Sequence, residues 1–227
     1  MEFASLYSFV PHVLEPIFPG CLWKGKTTQP IVALSFDDGP HPRYTPQLLK
    51  VLERSEISAS FFWLGRCVEQ APAVAHSTYQ QGHWIGLHGY THRSFPRLSS
   101  AELTQSLVRT QGAIANACQL TPSEVKQRIR DVRPPNGLFT PHILQQLRQE
   151  QYRPVMWTIA PEDWVSPGVS TVVKRIMKWV RNGALIVLHD GMYGGEDVAE
   201  IAALLIPRLQ AQGYQFVTVD DLWRQYF

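Results

Sequence analysis

The sequence predicts an α/β fold: about seven parallel strands, each followed by a helix, closing into a (β/α) barrel. Three observations carry this. Short apolar runs alternate with amphipathic stretches from residue 30 to the C-terminus. The runs are continuous and do not alternate with polar residues, as expected of strands buried on both faces under a layer of helices. Six or seven such strand–helix units then suit a barrel. An open doubly wound sheet is the competing arrangement, but its first strand would lead into a glycine-rich phosphate loop, and here it leads into Asp37-Asp38-Gly39-Pro40.

Residues 1–29 read as an irregular N-terminal extension, since Pro11, Pro16, Pro19 and Gly20 interrupt any long element, and residues 30–227 as the barrel domain. The first strand, 31–36, gives way to a turn with Gly39, Pro40 and Pro42 and then to an amphipathic helix carrying Leu48, Leu49 and Leu52. A strand at 58–64, a helix at 66–81 and a strand at 84–88 follow. Ser99-Ser100-Ala101-Glu102 opens the next helix, because a Ser with Glu three positions later lets each side chain satisfy the other's backbone N–H. Residues 131–133 make a short strand before Pro134 and Pro135, followed by a helix at 140–150 and a strand at 153–159. The helix at 169–180 places Val169, Val172, Val173, Ile176 and Val180 on one face. A strand at 184–188, a helix at 197–211, a strand at 215–219 and a short helix at 220–226 complete the pattern.

With 227 residues, 44% hydrophobic and 18% charged, the chain suits one sizeable core and is neither disordered nor membrane-spanning in composition. A formal net charge of +2, with Lys and Arg scattered, argues against nucleic-acid binding. No apolar stretch approaches the roughly 18 residues that cross a bilayer. Residues 1–19 lack a basic n-region and carry Glu2, His12 and Glu15, a poor signal peptide. The chain as given reads as soluble, either cytoplasmic or exported from a longer parent. Cys21, Cys67 and Cys118 cannot all pair and show no Cys-x-x-Cys spacing, so they read as buried or spare thiols.

The unusual polar residues gather at one end of the predicted strands. Asp37, Asp38, His88, Arg133, Asp163 and His189 all lie at, or just beyond, strand C-terminal ends, the face on which a β/α barrel builds its active site. Asp37 and Asp38 are adjacent like charges beside an apolar strand, and a divalent cation would compensate them. Capping the turn before Gly39-Pro40 is the plainer alternative. His88 and His92 stand four apart, a spacing that by itself also suits two surface or core imidazoles. Joined to one carboxylate, they meet the three protein ligands that a catalytic zinc takes while keeping a position for water. The other carboxylate of the pair would then accept a proton from that water.

Ser35-Phe36-Asp37-Asp38-Gly39-Pro40 and His88-Gly89-Tyr90-Thr91-His92 resemble the first two motifs of carbohydrate esterase family 4, the polysaccharide deacetylase or NodB-homology family. Its remaining motifs follow in order, as Arg133-Pro134-Pro135-Asn136-Gly137, then Trp157-Thr158 leading to Asp163-Trp164, then Val187-Leu188-His189-Asp190. The resemblance spans about residues 30–220. It implies a distorted barrel and a metal-dependent hydrolase that removes N-acetyl groups from a glycan, peptidoglycan or a chitin-like oligosaccharide, with one divalent metal, zinc, as cofactor.

By similarity Asp37 is the general base, Asp38 with His88 and His92 holds the metal, His189 is the general acid and Arg133 fixes Asp37. The backbone N–H of Asn136 would help stabilise the oxyanion, and Trp164 with Val187 would wall the pocket for the acetyl methyl. Two departures stand out. Ala160 occupies a position where many members carry Asp, leaving Asp163 as the acid of its motif, so the carboxylate that keeps His189 protonated is either missing or relocated. Asn136 stands where Tyr is frequent, a milder change because the proposed donor is backbone. Trp63, Trp84 and Trp179 read as packing, and His41 as a groove-lining residue. Two rival functions remain: a carbohydrate-binding pseudoenzyme, and a hydrolase of a small non-sugar amide.

Overall fold

The core of the molecule is organised by strand β1 (Ile31–Asp37), whose seven residues are all buried. In the computed structural model, which describes residues 10, 11 and 13–227, β1 lies near the centre of a seven-stranded parallel sheet. The strands are β2 (Ser60–Trp63), β3 (Trp84–Leu87), β4 (Asp131–Val132), β5 (Arg153–Pro154), β6 (Ala184–His189) and β7 (Gln215–Val217). Their order is β5-β4-β3-β2-β1-β6, with β7 also on β1. Strands β7 and β2 share one edge of β1: Ile31, Val32 and Ala33 pair with β7, whereas Ser35, Phe36 and Asp37 pair with β2.

The ring closes through irregular chain. Beyond β5, Val155 N–H donates to Val132 O, and Ile159 makes a parallel bridge to Ile186 of β6. The gap between β5 and β6 is filled from the N-terminal side, where Leu22 bridges Val155 and Gly25 N–H donates to Gly183 O. The expected strand at 153–159 is therefore regular only at its start. Its middle leaves the ladder to reach other partners: Met156 O accepts from the Arg133 guanidinium, and Thr158 Oγ1 donates to Trp23 O. The result is a distorted (β/α) barrel with all-parallel strands.

Side-chain alternation along the strands separates two cores and positions the site. On β1, Val32, Leu34 and Phe36 pack toward the helices, while Ile31 and Ala33 belong to an interior cluster with Phe62 and Leu185. Because strand side chains alternate with period two, the next interior positions on β1 are Ser35 and Asp37. Strand β6 follows the same rule. Ala184, Ile186 and Leu188 join the helix-facing core, so Leu185, Val187 and His189 face inward. On β1 and β6 the interior positions are thus apolar at the strand starts and polar at the C-terminal ends.

The covering helices are α1 (Tyr44–Arg54), α2 (Gly65–Gln70), α3 (Pro72–Gln80), α4 (Ser100–Cys118), α5 (Pro122–Arg128), α6 (Pro141–Gln149), α7 (Val169–Trp179), α8 (Gly195–Ala211) and α9 (Val219–Gln225). The capping box expected at Ser99 and Glu102 opens α4. A second one, Thr121 with Glu124, opens α5, a helix the periodicity reading passes over. The single helix expected at 66–81 is broken at Ala71 (φ −133°, ψ 54°), since the residue before a proline is excluded from helical geometry. At the opposite end of the barrel, fully buried Asp131 accepts from Trp84 Nε1 (2.6 Å) and from Arg153 Nε (2.7 Å), which keeps that charge compensated.

Within the N-terminal stretch, Cys21, Leu22 and Trp23 are buried against the barrel. The reading of residues 1–9 and 12, including Glu2 and His12, falls outside the described residues. Among the described residues, no helix is long and apolar enough to cross a membrane. All three cysteines are free, and burial pushes the Cys21 and Cys118 thiols up to about 12.

Candidate active site

The inward-facing polar positions open onto one cleft of about 540 Å³ at the C-terminal ends of the strands. Asp37, Asp38, His88, His92, Asn136, Trp164, Val187 and His189 all line it. Arg133 and Asp163 lie behind this surface, each holding one of the lining residues. The structure therefore brings together the proposed base, acid, metal ligands, pocket walls and their two supporting residues, though not His41.

Asp37 is the last residue of β1 and pairs in register with His189, the last of β6, so their inward side chains are neighbours across the ladder. Arg133, fully buried just past β4, donates from Nη1 to Asp37 Oδ1 (2.5 Å) and to Ser35 Oγ (2.9 Å), and from Nη2 to Met156 O (3.0 Å). Its guanidinium also lies 4.0 Å over the Phe62 ring. The two Nη groups of this deeply buried charge meet three acceptors, Asp37 among them, while Nε has none among the described residues.

His88 follows β3 and is fixed by a hydrogen bond between its Nδ1 and Arg133 O (2.7 Å), which turns Nε2 toward the carboxylates. Burial, opposed by Asp38 and reinforced by His92, lowers its pKa to about 3, so the imidazole is neutral at physiological pH. Asp38 and His92 both adopt left-handed backbone, at φ 72° and 56°. Such non-glycine conformations cost about 1–3 kcal/mol each and tend to cluster at functional sites. Here they aim Asp38 Oδ1 at two imidazoles, 3.5 Å from His88 Nε2 and 3.4 Å from His92 Nε2.

These spacings fit a cation. Asp38 Oδ1 is buried with no hydrogen-bond partner among the described residues, an expensive arrangement for a carboxylate unless an ion completes it. Donor atoms about 2.0–2.1 Å from a tetrahedral ion stand about 3.3–3.4 Å apart, close to the two separations from Asp38. Asp38, His88 and His92 form the group of three potential ligands found among the described residues.

His189 is gripped by Asp163, which sits in a 3-10 turn over Asp163–Val165. His189 Nδ1 meets Asp163 Oδ1 at 2.9 Å, and the His189 backbone N–H donates to Oδ2 at 2.7 Å. Burial alone would lower the imidazole pKa. The charge and hydrogen bond of Asp163, followed by Asp38 and Asp37, outweigh it and raise the value to about 9. Of the two alternatives left by Ala160, the acid beside His189 is thus relocated to Asp163, while Ala160 is buried in an apolar cluster with Trp157 and Val187. Trp164 stands edge-on to His189, ring centroids 5.1 Å apart.

Asn136, at φ 58°, donates from Nδ2 to Ser94 Oγ (3.0 Å), and the adjacent Gly137 (φ 66°) rests on Trp157, where a Cβ would come within 2.2 Å of the ring. Asp190, next to His189, is fully buried, accepts from Thr45 Oγ1 and is pushed up to about 7 by burial, a rise that the Thr45 hydrogen bond opposes. Its carboxylate fills the space beside Gly39, where a Cβ would come within 2.4 Å. His41 is spent elsewhere than on the groove: its Nδ1 accepts from the N–H groups of Arg43 and Tyr44 (3.2 Å each) at the start of α1, and its ring stacks on Tyr44. Trp63 and Trp84 pack in the interior, while Trp179 is exposed on α7. Sequence reasoning missed Arg66, Met192 and Tyr193 as cleft residues. The run of glycines around Met192 and Tyr193 was the one signal available.

Known proteins place this architecture. The polysaccharide deacetylase profile matches residues 24–155. The chain is 32% identical over 206 residues to a peptidoglycan-N-acetylglucosamine deacetylase of Bacillus cereus, covering 89% of this chain and 92% of that one. It is also 32% identical over 203 residues to a chitooligosaccharide deacetylase of Bradyrhizobium sp., covering 84% and 90%. Among solved structures, a peptidoglycan N-acetylglucosamine deacetylase superposes with a TM-score of 0.83 at 24% identity, covering 89% of this chain and 92% of that one. A CE4 family pseudoenzyme from Bacillus anthracis superposes at 0.78 with 26% identity, covering 88% and 67%. The match in fold, length and ordered motifs, with the acids and imidazoles converging on one cleft, makes this chain a member of the polysaccharide deacetylase family.

Proposed function

We propose that the protein is a metal-dependent hydrolase that removes N-acetyl groups from a glycan. The observation that carries this reading is the register pairing of Asp37 with His189, a carboxylate next to an imidazole, beside the Asp38, His88 and His92 triad. Zinc suits two imidazoles and a carboxylate. The chemistry such an ion supplies is acidification of water, from a pKa of about 15.7 towards 7, and polarisation of the acetyl carbonyl.

The chain's own residues do the rest. Asp37, oriented by Arg133, accepts a proton from the attacking water. His189, kept protonated by Asp163, delivers a proton to the sugar nitrogen as the amide bond breaks, so that the amine leaves neutral and acetate is released. Asn136 lines the cleft, and in this reading its backbone N–H meets developing negative charge on the carbonyl oxygen. Trp164 and Val187 exclude water around the acetyl methyl.

The glycan assignment draws on the relatives, which act on peptidoglycan N-acetylglucosamine or chitooligosaccharides by their names. Acetate release from N-acetylated glycan oligomers, measured with zinc-loaded and chelator-stripped protein, tests the proposal. Release that depends on added metal supports it, whereas glycan binding with no acetate from any metal-loaded form identifies a binding pseudoenzyme.

A further inference from the structure

Between β6 and α8 the chain reads Asp190-Gly191-Met192-Tyr193-Gly194, and Gly195 opens the helix. Its glycines are pressed onto the floor of the site. A Cβ at Gly191 would fall 2.5 Å from Asp38 Cβ, and one at Gly194, which has φ +83°, would lie 3.1 Å from Asp163 Oδ2 and 3.3 Å from His189 Cβ. A Cβ at Gly195 would lie 3.0 Å from the Asp190 backbone. The loop therefore hugs the residues beneath it and lifts the two side chains between its glycines. Met192 is 72% exposed and Tyr193 68% exposed, and both line the cleft.

Scattered exposed apolar residues need no explanation. These two are consecutive, line the candidate site and are displayed by a backbone that has no room for a side chain at Gly191 and takes a left-handed turn in tight surroundings at Gly194. The cleft surface that Asn136 contributes, with its hydrogen bond to Ser94, is polar. A pyranose ring has the matching division, with C–H groups on its faces and hydroxyls around its edge. Tyrosine suits such a ring, offering a flat apolar body and a polar tip.

We propose that Tyr193, supported by Met192, is the stacking platform for a sugar unit adjacent to the one whose acetamido group enters the site, so that the enzyme selects an oligomeric glycan over a monosaccharide or a small acetamide. This rests on the glycan-deacetylase reading, but its test is binding and needs no turnover.

The probes are glucosamine and its β-1,4-linked tetramer, which carry no acetyl group to hydrolyse, titrated calorimetrically into zinc-loaded wild type, Tyr193→Ala and Tyr193→Phe. The wild type binds the tetramer more tightly than the monomer. Tyr193→Ala lowers that preference by about 3- to 10-fold, the worth of one aromatic contact, and Tyr193→Phe retains it. A wild type without preference for the tetramer, or an unchanged preference in Tyr193→Ala, overturns the proposal. Acetate release from the acetylated tetramer is measured separately. A protein that shows the Tyr193-dependent preference yet releases no acetate refutes the deacetylase reading and leaves the platform standing.

Discussion

Asp163 holds His189 at two points, accepting from the backbone N–H with Oδ2 (2.7 Å) and meeting Nδ1 with Oδ1 (2.9 Å). The ring is thereby fixed in orientation as well as in charge. Burial favours the neutral imidazole, and the nearby carboxylates, Asp163 foremost, reverse that preference and bring the pKa to about 9.

Replacing Asp163 with Asn removes the charge at nearly constant size. The His189 pKa then falls, and the alkaline limb of kcat/KM against pH moves to lower pH, with activity at pH 8 down roughly 100-fold. The same pair affects stability. A raised folded-state pKa contributes stability that is complete below the unfolded value of about 6.5 and is lost as pH climbs through the folded value of about 9. Urea unfolding across that window should show the loss in the wild type and little of it in Asp163→Asn. An alkaline limb that does not move would remove the general-acid role from His189.

Asp37 and Asp38 face different partners, one Arg133 and the other the two imidazoles, and the proposed function gives them different tasks. Asp37→Asn should retain metal and lose turnover by roughly 10²–10⁴-fold, the range of general-base catalysis. Asp38→Asn should weaken the metal itself, because a neutral amide is a poorer ligand than a carboxylate. Metal titration and acetate release on both variants check this, and equal metal affinities would refute the division.

Arg133→Lys keeps the charge but not the plane of donors. An ammonium cannot reproduce the three bonds to Ser35, Asp37 and Met156 O from one fixed group. The expected outcome is a kcat loss on the order of 100-fold from a misplaced base, with metal affinity retained. Full turnover in the lysine variant would show that charge alone suffices at this position.

Gly191→Ala tests the support of the proposed metal site. The added methyl would come within 2.5 Å of Asp38 Cβ and 2.8 Å of its backbone oxygen, so Asp38 must shift. Metal affinity should drop by about 10–100-fold, as when a ligand loses its outer support, while far-ultraviolet circular dichroism stays unchanged. Wild-type affinity in this variant would mean that the loop and Asp38 move independently.

The barrel class and the end of the barrel at which the unusual polar residues collect were legible in the residues alone. Short apolar runs such as 31–36 and 184–188, alternating with amphipathic stretches, read as strands buried on both faces, and the polar residues that terminate them then fall at the strand ends. Capping chemistry was equally legible at Ser99 and was there to be read at Thr121, because both depend on residues three apart in the chain. Contacts between residues distant in sequence were not legible there. The closure of the ring through Leu22 and Ile159, the diversion of Met156 O to Arg133 and the capping task of His41 have no local signature. The acid beside His189 shows the division most clearly. Ala160 left that partner open in the sequence, since side-chain distance across a turn is not set by spacing, and it was the folding of the Asp163–Val165 turn against the end of β6 that put a carboxylate on the imidazole.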